Sequence, residues 1–201
     1  MNYNELFKSL KISEEEINQY LNESKYGGYP EEPGGSVWSM EGKSIFTLIR
    51  HLKPKKILEL GNFKGVSSNH ILQAVEMNGF GEVTLLDISE IIDYNKIHNN
   101  NFKRILSDSL EYLDKTLDFD FIVIDDNHEY EHVKKELSLI YKNNSPKKYY
   151  IWAHDYFVES RSDVGVKQAW DETEDLNKQK TFKVLGPESN CGFIFSIIHN
   201  D

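Results

Sequence analysis

The chain has a single cysteine, Cys191, so it cannot close a disulfide on itself. A small buried side chain is the expected role of that thiol. No apolar run comes near the ~18 residues that cross a membrane. The N-terminus, Met1-Asn-Tyr-Asn-Glu-Leu-Phe-Lys8, has neither a basic patch nor an apolar signal core, so the expected location is cytoplasmic. Basic residues are scarce: 23 Lys and Arg stand against 33 Asp and Glu, a formal net charge of −10. That deficit disfavours a broad nucleic-acid footprint, which needs cations against phosphates. Internal repeats and low-complexity tracts are absent as well. What is left is a chain of 201 residues, 39% hydrophobic and 28% charged, which fits one globular domain with a substantial core.

Residues 1–39 read as a helical cap and loop, and 40–201 as the main domain. Within 2–22, Ser13 with Glu16 three places on marks a helix start. Tyr26 to Ser36 holds four glycines and two prolines, which makes it either a plain connector or a substrate lid. Ile45, Leu48, Ile49 and Leu52 fall at helical spacing, and Pro54 ends that helix. Short apolar runs then alternate with helical ones. Strands are expected at 56–60, 82–87, 102–106, 120–125 and 149–153, with helices at 66–77, after 125, and at 164–177. Such alternation predicts a parallel sheet covered on both faces. Phe182–Leu185 and Gly192–Ile198 are both strand-like, and the six residues between them are too few for a crossover helix. The expected fold is therefore α/β: a Rossmann-like, doubly wound, mostly parallel sheet of seven strands with a C-terminal antiparallel hairpin and helices on both faces.

Parallel sheets bind ligands beyond the carboxyl ends of their strands. Those ends are acidic here. The first strand contains Glu59 and runs into Gly61. The second ends at Asp87, and the third is followed by Asp108. The fourth ends in Asp125 and Asp126, the fifth in His154 and Asp155. The opposite edge carries Lys53-Pro-Lys-Lys56 and Pro146-Lys-Lys148, read as a solvated rim. An acidic mouth suits a cationic ligand, such as a sulfonium with an ammonium group, or a divalent metal. It suits a dinucleotide pyrophosphate poorly.

Ile57-Leu-Glu-Leu-Gly-Asn-Phe-Lys-Gly-Val-Ser-Ser68 reads as a strand, a glycine turn and a helix start. Gly61 and Gly65 let backbone pass close to a ligand, and Ser67 follows on the helix. Phe63 stands where the dinucleotide fingerprint needs its second glycine, which argues against an NAD-dependent oxidoreductase. An acid two places before the first glycine is the S-adenosylmethionine (SAM) variant of this loop. Asp87, 26 residues after Gly61, is placed to accept ribose hydroxyls. Asp108 either lies near adenine or caps the next helix.

Five segments, Ile57–Ser68, Thr84–Asp87, Leu106–Leu113, Phe121–Tyr130 and Ile151–Tyr156, together resemble small bacterial class I O-methyltransferases. The resemblance is strongest to those whose fourth strand ends in Ile-Asp-Gly-Asp-His-Ser-Tyr. This chain reads Ile124-Asp-Asp-Asn-His-Glu-Tyr130, then His154-Asp155-Tyr156 and Gly165-Val-Lys-Gln-Ala-Trp-Asp171. The resemblance implies SAM as methyl donor, held by Glu59, Gly61, Gly65, Ser67, Asp87 and Asp108. In macrocin-type sugar O-methyltransferases, magnesium is bound by acids ending the fourth and fifth strands. Those positions are Asp125, His154 and Asp155, with Asn127 replacing an acid and an imidazole standing where some relatives have a carboxylate. The metal implied is Mg2+ or Mn2+. Asp125, His128 and His154 are the implied catalytic residues, His128 being either proton acceptor or loop support. The implied partner is a small-molecule hydroxyl acceptor, a sugar or natural product, for which Tyr26, Tyr29, Trp38, Tyr156 and Trp170 are candidate pocket walls. His51, His70, His98, His132 and His199 are read as surface or packing residues. A methyltransferase-like subunit that only binds a partner is the non-enzymatic alternative, and assembly into homo-oligomers is left open.

Overall fold

The computed structural model describes residues 1–25, 39–90, 101–158, 161–174, 178–186 and 190–200. Two short helices open the chain: α1 (Tyr3–Ser9) and α2 (Glu14–Glu23). Both start on capping boxes. Asn2 and Glu5 exchange side chain-to-backbone bonds at α1, and Ser13 and Glu16 do so at α2, so two orphan amide donors are satisfied at each start. The side chains of Tyr3, Leu6 and Phe7 go into the same core as the central sheet. The amino group of Met1 donates to the carbonyl of Lys183, which fastens the N-terminus beside the C-terminal hairpin.

After α3 (Ser39–Leu52), the chain alternates as its hydrophobic runs predict. The order is β1 (Lys56–Leu60), α4 (Val66–Asn78), β2 (Glu82–Asp87), β3 (Lys103–Leu106), α5 (Ser109–Leu113), β4 (Phe121–Ile124), α6 (Tyr130–Asn143), β5 (Lys148–His154), α7 (Val166–Thr173), β6 (Gln179–Val184) and β7 (Phe193–His199). The seven strands form one sheet in the order β3-β2-β1-β4-β5-β7-β6. All pairs from β3 to β5 are parallel, whereas β7 runs antiparallel to both β5 and β6. The short 186–191 connection dictates the hairpin, as expected.

Strand residues alternate between two separate cores. Ile57, Phe121 and Val123 pack on the face shared with α3 and α4. Leu58, Leu60, Ile122 and Ile124 pack on the other, against α6 and α7. A period of two feeding two apolar faces makes β4 a continuous hydrophobic run and β1 one that only Glu59 interrupts after Lys56. Strand order reverses between β1 and β4, so the crevice at their carboxyl ends is the switch point of this sheet.

Several side chains depart from expectation. Tyr156 and Trp170 are 1% and 0% exposed, so they are core residues and not pocket walls. The area gained by burying an aromatic outweighs leaving it at a rim, and the Tyr156 hydroxyl finds a partner in Asp171 at 2.7 Å. Cys191 is half-buried, not fully buried. The 26–36 loop with Tyr26 and Tyr29, together with Trp38 and His98, lies outside the described residues. No helix among the described residues is long and apolar enough to cross a membrane.

Candidate functional site

The first loop leaves β1 through Gly61, whose φ is +78°. A Cβ on Gly61 would lie 2.4 Å from the carbonyl oxygen of Asp125 and 2.6 Å from Cα of Asp126. The glycine is thus required by protein packing: the exits of β1 and β4 touch backbone to backbone. Gly65, at φ +84°, turns the chain into α4. Between them, the Asp87 carboxylate accepts from the amides of Asn62 (3.1 Å) and Phe63 (2.8 Å) with one oxygen. Its other oxygen accepts from the amide (2.9 Å) and hydroxyl (3.1 Å) of Ser89. The acid ending β2 therefore holds the glycine loop in shape. Asp108 caps α5, accepting from the amide of Leu110 at 2.8 Å.

Glu59 is fully buried under this loop and accepts from the hydroxyl of Ser68 at 2.5 Å. Its other oxygen, Oε1, has no hydrogen-bond donor among the described residues. Burial pushes the Glu59 carboxyl up to about 8; the Ser67 and Ser68 hydroxyls oppose this, and the charges of Asp125 and Asp87 reinforce it. A buried acid with an open acceptor position suits a cationic hydrogen-bond donor.

The second half of the site is built at the ends of β4 and β5. Nδ1 of His154 lies 3.1 Å from Asp125 Oδ1 and 3.2 Å from Asp155 Oδ1. Nε2 of His128 lies 3.3 Å from Asp125 Oδ1 and 3.4 Å from Asp155 Oδ2. The structure thus brings all four residues singled out in the sequence to one place. Parallel pairing of β4 with β5 sets Ile124 beside Ala153, which puts the two exits level. Asp155 has φ +57°, a conformation that asparagine and aspartate tolerate better than most residues. His128 is placed from α7: its carbonyl accepts from the Gly165 amide at 2.7 Å. A Cβ on Gly165 would lie 2.4 Å from that of Tyr130, which explains the glycine of the Gly165-Val-Lys-Gln-Ala169 segment.

One member went unread in the sequence. Glu41, in the first turn of α3, is fully buried, and its Oε2 accepts from Nε2 of His154 at 2.9 Å. Its only sequence signal is a carboxylate on the apolar side of an amphipathic helix. With Nε2–H held by Glu41, Nδ1 of His154 is the nitrogen presented to Asp125 and Asp155. That is the carboxylate–histidine arrangement that fixes the tautomer of a metal-bound imidazole.

The electrostatics follow from this crowding. Burial raises the Asp125 carboxyl, but His154 and His128 outweigh it and hold it at about 2. Burial disfavours the charged form of His154, yet without a cation Asp125 and Glu41 raise its pKa well above the usual range. An ion bound at Nδ1 would displace that proton. His128 is likewise raised by Asp125 and Asp155 against its burial. Ligand atoms of Asp125, His128 and His154 fall within 4.8 Å of one another. The 3.1–3.2 Å separations around His154 Nδ1 are close to the ~3.0 Å between neighbouring ligands of an octahedral ion with ~2.1 Å bonds. The residues present fit a divalent cation.

Comparison with known proteins bears on the class. Residues 58–156 match the methyltransferase domain family. That span runs from the glycine loop through the His154-Asp155 pair, so this part of the chain is a SAM-dependent methyltransferase domain. No curated protein matches the sequence. Solved structures share the fold over nearly the whole chain. An O-methyltransferase from Bacillus cereus, in complex with SAH, superposes with a TM-score of 0.63 at 18% identity, covering 97% of this chain and 96% of that one. The O-methyltransferase TomG from Streptomyces achromogenes, in complex with SAM, gives 0.60 at 17%, covering 99% and 97%. The SAH-bound methyltransferase PaMTH1 of Podospora anserina gives 0.62 at 16%, covering 94% and 89%.

Proposed function

We propose that this protein transfers the methyl group of SAM to a hydroxyl of a small molecule, a sugar or natural product, with a divalent metal ion holding the acceptor. The observation that carries it is the meeting of Asp125, His128, His154 and Asp155 directly against the glycine loop at the switch point. SAM fits the first half. The open oxygen of Glu59 would take its ammonium, and the backbone of Gly61 and Gly65 with Ser67 would border its methionine part. Asp87 would exchange part of its bonding to the loop for the ribose hydroxyls, and Asp108 would lie toward the adenine. Asp125, His154 and Asp155 would hold Mg2+ or Mn2+, which supplies Lewis-acid activation and a fixed direction for a vicinal diol.

In the reaction, the acceptor oxygen bonds to the methyl carbon as the carbon–sulfur bond breaks. The bonding pair passes to sulfur, leaving S-adenosylhomocysteine, and the hydroxyl proton passes to Nε2 of His128. Most of the rate comes from aligning oxygen, carbon and sulfur. His128 accepts a proton only when neutral, and its neighbours raise its pKa. The rate should therefore rise with pH as His128 loses its proton, with a midpoint that a cation bound to Asp125 and Asp155 lowers. His128→Ala should lose that rising limb and ~100-fold or more of kcat. The test is methyl transfer from labelled SAM to a panel of diols and catechols, followed over pH. An unchanged profile in His128→Ala removes it as the base, and no transfer to any acceptor favours a partner-binding subunit.

For the donor half, Asp87→Ala should weaken SAM binding by roughly 1.5–3 kcal/mol, the scale of hydrogen bonds to a charged group. Because Asp87 also ties the amides of Asn62 and Phe63, melting temperature should fall in parallel. Calorimetry with SAM on the folded variant decides: unchanged affinity takes Asp87 out of the ribose site.

A further inference from the structure

A second cluster of charged groups lies on the other side of the β4 exit and is not used by the reaction. His132 and Glu136 stand one turn apart on α6, Asp126 is in the turn after β4, and Ser109 begins α5. His132, read in the sequence as a surface or packing residue, is the centre of this group. Three oxygens crowd its Nε2: Ser109 Oγ at 3.0 Å, Glu136 Oε1 at 3.3 Å and Asp126 Oδ2 at 3.6 Å. A ring nitrogen bears at most one hydrogen and can satisfy one of them well.

The carboxylates are the sharper anomaly. Glu136 is 0% exposed, yet neither of its oxygens accepts a hydrogen bond among the described residues, and neither does Oδ1 of Asp126. The ion pair with His132 at 3.3 Å reaches one Glu136 oxygen only. A buried carboxylate with its other oxygen lacking a donor is costly and calls for a further counter-ion. Ligand atoms of Asp126, His132 and Glu136 all lie within 4.8 Å of one another. A tetrahedral ion with ~2.1 Å bonds sets its ligands ~3.4 Å apart. The 3.0–3.6 Å separations about Nε2 match that spacing. One imidazole and two carboxylates give a net −2 donor set of mixed nitrogen and oxygen, which selects a first-row divalent ion over magnesium or calcium.

We propose that Asp126, His132 and Glu136, with Ser109 beside them, form a second metal site, structural in role, for Zn2+ or a similar first-row ion. An ion there ties α5, α6 and the turn after β4 together. It thereby fixes Asp126, and with it Asp125 of the reacting site.

The proposal is independent of the catalytic site and is tested apart from it. In the full chain carrying Asp125→Asn and Asp155→Asn, one equivalent of Co2+ should bind, with the strong visible absorption of tetrahedral coordination, and Zn2+ should displace it. Adding Glu136→Gln should weaken that binding by at least about 100-fold. Should the double variant not fold, the same readout applies to Glu136→Gln alone. That variant should hold one metal equivalent fewer than the unaltered chain by elemental analysis and lose part of the zinc-induced rise in melting temperature. If Co2+ does not bind to the double variant, or if Glu136→Gln leaves metal content and affinity unchanged, the site is not a metal site. In that case Glu136 carries a proton shared with Asp126.

Discussion

Asp125→Asn is expected to abolish magnesium- or manganese-dependent methyl transfer while leaving most of the affinity for SAM. Asp125, like Asp155, is in contact with both His128 and His154, and its Oδ1 alone reaches both rings. Asparagine keeps its shape but removes an anionic ligand, and Lewis-acid activation contributes several kcal/mol, so kcat should fall at least ~100-fold. EDTA should do the same to the unaltered enzyme, and the variant should show no further loss with EDTA. Stability changes in a direction that can be checked independently. The folded-state pKa of Asp125 is depressed to about 2, so its carboxylate stabilises the fold above its unfolded value near ~4, and that contribution is lost as pH falls through 2. The variant should be less stable than the unaltered chain at neutral pH, and the difference should shrink below pH ~4. Breaking a buried pair by removing one partner costs ~3–5 kcal/mol, discounted here because Asp125 retains some exposure. Turnover that survives exhaustive chelation would end the metal mechanism and leave His128 acting without it.

The fold was legible because its signals are local and repeated. Apolar runs bounded by glycine and proline gave the strands, and the shortness of 186–191 gave the hairpin. The acids of the site were legible for a related reason: in a parallel sheet, whatever ends each strand shares one edge. What could not be read is contact across elements. Glu41 is far from His154 in sequence, and nothing near it indicates that α3 packs over the end of β5. His132 and Glu136 look like an ordinary i, i+4 pair on a polar helix until Asp126 and Ser109 close over them. Asp87 and Asp108 were placed correctly at strand ends, but their bonds to backbone amides appear only once the loop geometry is known. Tyr156 and Trp170 show the converse error, since an aromatic near a site motif is still more often core.

Gly61→Ala should destabilise the protein well beyond Gly79→Ala and should disable both halves of the site. Two terms add. A left-handed backbone costs a non-glycine residue ~1–2 kcal/mol. The added methyl would then lie 2.4 Å from the Asp125 carbonyl oxygen and 2.6 Å from Asp126 Cα, which are backbone atoms that no rotamer change can move. The turn after β4 must shift, and it carries Asp125 into one cluster and Asp126 into the other. Overpacking of this kind adds ~1–3 kcal/mol. The chain supplies its own control: Gly79 has φ +76°, nearly the same as Gly61, but a Cβ there meets nothing within 4 Å. Gly79→Ala therefore carries the conformational cost alone. At ~2–4 °C per kcal/mol for a chain of this length, Gly61→Ala should melt ~2–12 °C below Gly79→Ala. It should also lose metal-induced stabilisation, which Gly79→Ala keeps. Equal melting temperatures for the two variants would mean that the β1 and β4 exits do not touch, and the shared edge on which the catalytic proposal rests would go with them.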